Sequence, residues 1–246
     1  MQTNLKGKTV LITESAHNFG RAIALAFAKE ECNLLLASRE GSDRLDQVTQ
    51  EVVSLGVKVA TQVCDLSDET QVRALAEKAV SEFGRIDVLV NNVLFPLPQQ
   101  SLEDIPYDLW KRKIEVELTG SFLLCKQVLP GMIQQEWGRV ILFTGLAAFN
   151  GSDPLSSTTE LGLTGLARGI AREYGKHGVT ANCLGPAGIM VGEDVDVHPY
   201  PPEDRHPLPR WGKPEEVAFL AVCLASEDAG YITGQCLLAN GGKYFQ

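Results

Sequence analysis

The stretch GKTVLITESAHNFGRAIALAFAKEECNLLLASR, residues 7–39, decides the fold. TVLIT (9–13) and NLLLA (33–37) are short, continuous apolar runs, the pattern of strands buried on both faces. Between them a polar turn leads into Gly20–Glu30, whose apolar residues recur at helical spacing. A strand, a helix and a second strand in so short a span predict a right-handed crossover between parallel neighbours. The same unit recurs along the chain. Further strands are expected at VATQV (59–63), IDVLV (86–90), RVILF (139–143), VTANCL (179–184) and QCLLA (235–239), with amphipathic helices at Glu69–Phe83 and Pro214–Ser226. The expectation is α/β: a single Rossmann-like, doubly wound parallel sheet of about seven strands with helices on both faces, forming one domain over 1–246. The segment from Gly188 to Pro214 breaks the rhythm. Pro199, Pro201, Pro202, Pro207 and Pro209 disfavour a continuous helix there and predict a long loop.

Composition narrows the function classes. Of 246 residues, 44% are apolar and 22% charged, ordinary values for a globular protein able to bury a large core. A net charge of −9 disfavours nucleic acid and anionic membrane surfaces, which need a basic patch. No apolar run approaches the roughly 18 residues of a membrane span, and no signal peptide precedes the first strand, so a cytoplasmic protein is expected. Cys32, Cys64, Cys125, Cys183, Cys223 and Cys236 are scattered, without a CxxC pair, and read as buried reduced thiols. His17, His177, His198 and His206 show no ligand spacing, so no metal site is expected.

Several landmarks, in order, resemble the short-chain dehydrogenase/reductase family over the whole chain. They are GKTVLIT, CDLSD (64–68), GRIDVLVNN (84–92), GRVILF, HGVTANCLGP (177–186), PLPRWGKPEEVA (207–218) and YITGQCLLANGG (231–242). The look is nearest to 3-oxoacyl-carrier-protein reductases and hydroxyacyl-CoA dehydrogenases. The resemblance implies a nicotinamide dinucleotide at the carboxyl ends of the strands and a catalytic Asn, Ser, Tyr and Lys.

The chain departs from the family where that chemistry would lie. The family's TGxxxGxG turn reads Thr13-Glu14-Ser15-Ala16-His17-Asn18-Phe19-Gly20, so only the last glycine remains. A Glu14 carboxylate about 4 Å from a phosphate would repel it by roughly 4 kcal/mol at an effective dielectric near 20, about a thousandfold in affinity. Gly20 is expected to serve helix–strand packing rather than phosphate binding. At the adenine end, Asp65 matches the family's acidic residue and Arg39 sits where some members bind a 2′-phosphate, so residual nucleotide binding stays open. In the loop after the fourth strand, Asn91-Asn92-Val93-Leu94 replaces NNAG. Asn91 can hold the turn, and Leu94 would crowd the ribose.

By the same resemblance, Glu117 takes the asparagine position, Gly145 the serine, Ser156 the tyrosine and Glu160 the lysine, with Gly162 and Gly165 fixing the register and a shortened loop before them. A serine hydroxyl is no substitute for a phenol, and Glu160 would raise a neighbouring acid's pKa where lysine lowers it. Losing general acid–base catalysis forfeits roughly 10²–10⁴-fold in rate. Ser157-Thr158-Thr159-Glu160 has the form of a capping box opening a helix to about Lys176. Later, Pro186-Ala187 replaces the family's Pro-Gly, and the threonine of the nicotinamide contact falls near Val191.

The packing pattern is kept. Tyr107–Gln135 and Ser157–Lys176, helices that pair subunits in the family, carry apolar faces at Ile114, Leu118, Phe122, Leu123, Leu163, Leu166 and Ile170. The expectation is a catalytically degenerate subunit that binds no cofactor itself. It would assemble with an intact paralogue, as a dimer or dimer of dimers, and that partner would hold NAD and act on a hydroxyacyl or ketoacyl substrate, such as a CoA thioester. Heteromeric members of the family, hydroxybenzylsuccinyl-CoA dehydrogenase among them, pair a degenerate with a competent subunit, and the chain is similar to the former. The alternatives are a cofactor-independent lyase, dehydratase or isomerase using Glu14, Glu117, Asp153, Ser156 and Glu160, or a ligand-binding regulator.

Overall fold

A computed structural model describes residues 2–93, 95, 100–190 and 207–245. Seven parallel strands form one sheet in the order β3-β2-β1-β4-β5-β6-β7. They are β1 (Thr9–Ile12), β2 (Asn33–Ser38), β3 (Val59–Val63), β4 (Val88–Asn91), β5 (Gly138–Phe143), β6 (Val179–Pro186) and β7 (Cys236–Ala239). Each expected run became a strand, and in the five inner strands continuous burial suits both faces of the sheet: Val10, Leu11 and Ile12 are all fully buried.

Alternate residues feed two cores. Leu11, Leu35, Leu89 and Val140 face α3 (Glu69–Phe83), α5 (Gly120–Gln134) and α7 (Pro154–Tyr174). Val10, Ile12, Leu34, Leu36 and Val90 face α1 (Asn18–Lys29), α2 (Asp43–Ser54) and α8 (Pro214–Ala225). The strand order reverses between β1 and β4, which opens a crevice at their carboxyl ends.

Three helical expectations are corrected. Tyr107–Gln135 is not one regular helix. It comprises α4 (Tyr107–Lys113), a π-helical turn over Ile114–Thr119, and α5. The helix expected from Ser157 begins at Pro154, and its cap is Asp153, whose carboxylate accepts from the N–H groups of Leu155 (3.2 Å) and Ser156 (3.0 Å). Proline at the first helical position with aspartate before it outcompetes the S-x-x-E signal. Ser157 instead donates its hydroxyl to Ala147 O at 2.8 Å. The apolar faces also point differently. Leu123, Leu163 and Ile170 are buried in the chain's own core, and the outward apolar residues are Phe122 and Leu161, each about half exposed. Of the long loop, residues 191–206 lie outside the described residues, and its ends are held by an Ile189–Gly212 bridge.

Burial works to raise the Asp153 carboxyl, but hydrogen bonds from Ser156 and Leu155 and the charge of Lys113 outweigh it and hold the group below the usual range. Its contribution is therefore present above the unfolded-state pKa of about 3.9 and is lost as pH falls through the lowered folded value. Asp153→Ala should cost about 1 kcal/mol near pH 7 in urea denaturation, with the deficit shrinking in acid. Ser157→Ala should cost less than Asp153→Ala, the reverse of what the capping-box reading requires.

Candidate functional site

The crevice is bounded by the turn after β1, the loops after β4 and β5, and the start of α7. The β1 turn keeps a glycine-like backbone without the glycines. Glu14 and Asn18 have φ of 48° and 43°, in the left-handed region, where a side chain costs roughly 1–2 kcal/mol. The surroundings enforce that shape. Ser15 N donates to Ala37 O at 2.9 Å, Thr13 Oγ1 donates to Asn91 Oδ1 at 2.9 Å, and Asn92 Nδ2 donates to Glu14 O at 3.4 Å. At Gly20 a Cβ would stand 2.0 Å from Glu14 O, so only glycine permits α1 to lie this close to the turn. Glu14 is half-buried, and its carboxyl is pushed up by burial while the charge and backbone N–H of Arg39 pull it down. The side chain thus leans toward the end of β2, where it meets the basic residue expected to serve a 2′-phosphate.

Asp65 is likewise engaged within the chain. It accepts from Arg112 Nη2 at 2.9 Å, from Ser67 N at 2.9 Å and from Ser67 Oγ at 2.7 Å. Burial opposes its ionisation, but Arg112 and Ser67 prevail and keep the carboxyl below the usual range. Asn91 is fully buried and structural: besides accepting from Thr13, it donates to Ser121 Oγ at 2.6 Å, and Ser121 in turn donates to Glu117 O. Leu94 and Val191 lie outside the described residues.

Glu117 belongs to a buried ion pair. Lys113 Nζ lies 2.7 Å from Glu117 Oε1, with both side chains within 3% of full burial. Glu117 Oε1 also accepts from Phe95 N at 2.7 Å, and its Oε2 accepts from Thr159 Oγ1 at 2.7 Å. Lys113 donates to Phe95 O at 3.0 Å. The pair therefore clamps Phe95 through both backbone groups and fixes the loop after β4 to the π-turn. Sequence reading missed Lys113 and Thr159. The Lys–Glu spacing of four was the available signal for Lys113, although it does not distinguish a buried pair from a surface one.

Gly145 and Glu160 fit each other. Glu160 Oε2 accepts from Ala148 N at 2.8 Å, which caps the short helix α6 (Ala147–Asn150). A Cβ on Gly145 would stand 2.5 Å from Glu160 Oε1. The carboxylate therefore fills the space beside Gly145, and burial raises its pKa against the lowering effect of the Ala148 N–H. Thr144 Oγ1 donates to the Glu160 carbonyl at 3.3 Å. Ser156, half-buried, lies one helical turn before Glu160 on α7. Gly145→Ser should displace the Glu160 side chain and strip Ala148 N of its acceptor, costing about 1–3 kcal/mol. Combined with Glu160→Ala the serine should cost clearly less, and a double-mutant cycle in urea measures that coupling.

The comparisons with known proteins extend over nearly the whole chain. A family model described as Enoyl-(Acyl carrier protein) reductase matches residues 15–243. Glucose 1-dehydrogenase 2 of Bacillus subtilis is 30% identical, the match covering 98% of this chain and 96% of that protein. A 3-oxoacyl-(acyl-carrier-protein) reductase of Aquifex aeolicus is 32% identical, covering 99% and 100%. Among solved structures, levodione reductase superposes with a TM-score of 0.91 at 27% identity, covering 98% of each chain.

Proposed function

The chain belongs to the short-chain dehydrogenase/reductase family, and from that premise we propose that it is a redox-inactive subunit assembling with a catalytically intact paralogue. That paralogue would bind NAD and interconvert a hydroxyacyl and a ketoacyl substrate, such as a CoA thioester. The reading rests chiefly on the mutual fit of Gly145 and Glu160: the carboxylate stands where a side chain at the serine position would project. The residues present fit a nicotinamide dinucleotide poorly. Glu14 places a half-buried carboxyl in the phosphate turn, Asp65 is paired with Arg112, and Ser156 and Glu160 offer neither phenol nor ammonium.

Cofactor-independent acid–base chemistry is less well supported. Glu117 is 2% exposed and already accepts from Lys113, Phe95 N and Thr159, so it is not free to exchange a proton with a substrate.

The experiment is co-expression of tagged chain with untagged, catalytically intact family members from the same genome. A stoichiometric mixed oligomer that turns over an acyl substrate, and loses turnover when the partner's tyrosine alone is replaced, is the expected result. A homo-oligomer that excludes every paralogue, or that turns over substrate unaided, would overturn the reading.

A further inference from the structure

We propose that Cys183 and Cys236 form a peroxide-responsive thiol pair that closes a reversible disulfide between β6 and β7. The two residues are direct register partners on adjacent parallel strands, and both belong to one core cluster on one face of the sheet. Neighbouring strands stand about 4.8 Å apart, inside the roughly 4.4–6.8 Å between Cα atoms that a disulfide spans. Among the described residues β7 is an edge strand whose sheet neighbour is β6. Cys236 can therefore shift toward Cys183 without breaking a second strand ladder.

The surroundings divide the labour between the two sulfurs. The Cys236 thiol hydrogen-bonds Cys183, and although burial opposes ionisation, the Thr164 hydroxyl and the Arg168 charge also favour the Cys183 thiolate. Cys183 is accordingly drawn below the ordinary thiol value, whereas burial pushes Cys32, Cys64 and Cys125 up to about 12. Cys236 moves upward, through its hydrogen bond to Cys183 and then through burial, and so keeps its proton until Cys183 has reacted.

Cys183 is fully buried and Cys236 is 7% exposed, so the proposed oxidant has to be as small as a peroxide and has to enter as the edge strand moves. The Cys183 thiolate attacks one peroxide oxygen, the O–O bond breaks, and the sulfur becomes a sulfenic acid. Cys236 then loses its proton and attacks that sulfur, the S–O bond breaks, and the oxygen leaves as water. In sum, two thiols and one hydrogen peroxide give a disulfide and two waters. The sulfurs are oxidised, the peroxide is reduced, and a thiol reductant reverses the step. The bond would tie the edge strand to the sheet three residues before the Pro186–Ala239 pair at the strands' carboxyl ends. This inference does not depend on the proposed function.

The test treats native, reduced full-length chain with hydrogen peroxide. The chain is then denatured, free thiols are alkylated, and peptides are mapped by mass, with circular dichroism reporting the fold throughout. The expected product is a linked Cys183–Cys236 peptide that a dithiol reductant cleaves. Cys183 should react at least about tenfold faster than Cys32 or Cys64, because burial pushes those two thiols up to about 12 whereas Cys183 is drawn below the ordinary value. In Cys236→Ser, Cys183 should instead accumulate as a sulfenic acid trapped by a dimedone-type reagent. Should that variant fail to fold, the wild-type map decides alone. Native protein in which Cys183 stays reduced, a link to Cys125 in place of Cys236, or oxidation only after unfolding would each overturn the proposal.

Discussion

Glu117→Ala should lower the unfolding free energy by about 3–5 kcal/mol, and Lys113→Met by a similar amount, because each strands a buried charge without its partner. The loss also orphans the Phe95 N–H in Glu117→Ala or the Phe95 carbonyl in Lys113→Met. Replacing both residues by apolar ones of similar size should cost far less than the sum of the single changes, since the surviving charge disappears with its partner. Glu117→Asn restores the residue the family carries and should nevertheless destabilise this chain while Lys113 stays charged. Urea denaturation of the four variants checks this. Single substitutions each costing under about 1 kcal/mol, the range of a solvated surface pair, would show that the clamp on Phe95 is absent in solution.

Glu14→Gly should do the opposite and stabilise the chain by about 1–2 kcal/mol. It removes a side chain held at left-handed φ and a carboxyl disfavoured by burial. The pH dependence separates the two causes. A carboxyl whose folded pKa is raised supports folding fully below its unfolded value, about 4.3, and loses that support as pH rises through the folded value. The advantage of Glu14→Gly should therefore be larger at pH 7 than at pH 4, with the backbone part remaining at both. The variant, combined with Asn18→Gly, should also gain affinity for NADH, by up to roughly a thousandfold if the full Coulomb repulsion of about 4 kcal/mol at 4 Å is relieved. Turnover should stay absent, because Ser156 and Glu160 are unchanged. Calorimetry against NADH and ADP-ribose, with stability curves at both pH values, checks both parts.

The sheet was legible because a strand buried on both faces needs only a local apolar run, which the five inner strands supply; the edge strands β3 and β7 are mostly half-buried. The crevice was legible only as a set of replaced positions. What each replacement does depends on partners distant in sequence: Arg39 for Glu14, Arg112 for Asp65, and Ala148 with Gly145 for Glu160. Lys113 closes the basic run Lys111-Arg112-Lys113, which reads as a solvated face. Lys113, Val116 and Glu117 turn inward together at the three- and four-residue spacing of one helix face, a pattern that does not by itself say whether the face is buried. The start of α7 is set by Asp153-Pro154, an aspartate–proline start that outweighs the S-x-x-E pattern beginning at Ser157. The apolar stripes on α5 and α7 were assigned to a partner subunit when Leu123, Leu163 and Ile170 serve the chain's own core. Periodicity marks a buried face without saying what buries it.

On the proposed reading this crevice holds no nicotinamide dinucleotide. The most direct test is titration calorimetry of NADH into the purified chain, free of any paralogue. No saturable heat is expected at ligand concentrations up to about 1 mM, the range of a Kd weaker than roughly −4 kcal/mol of binding free energy. Saturable binding with a micromolar Kd would contradict it.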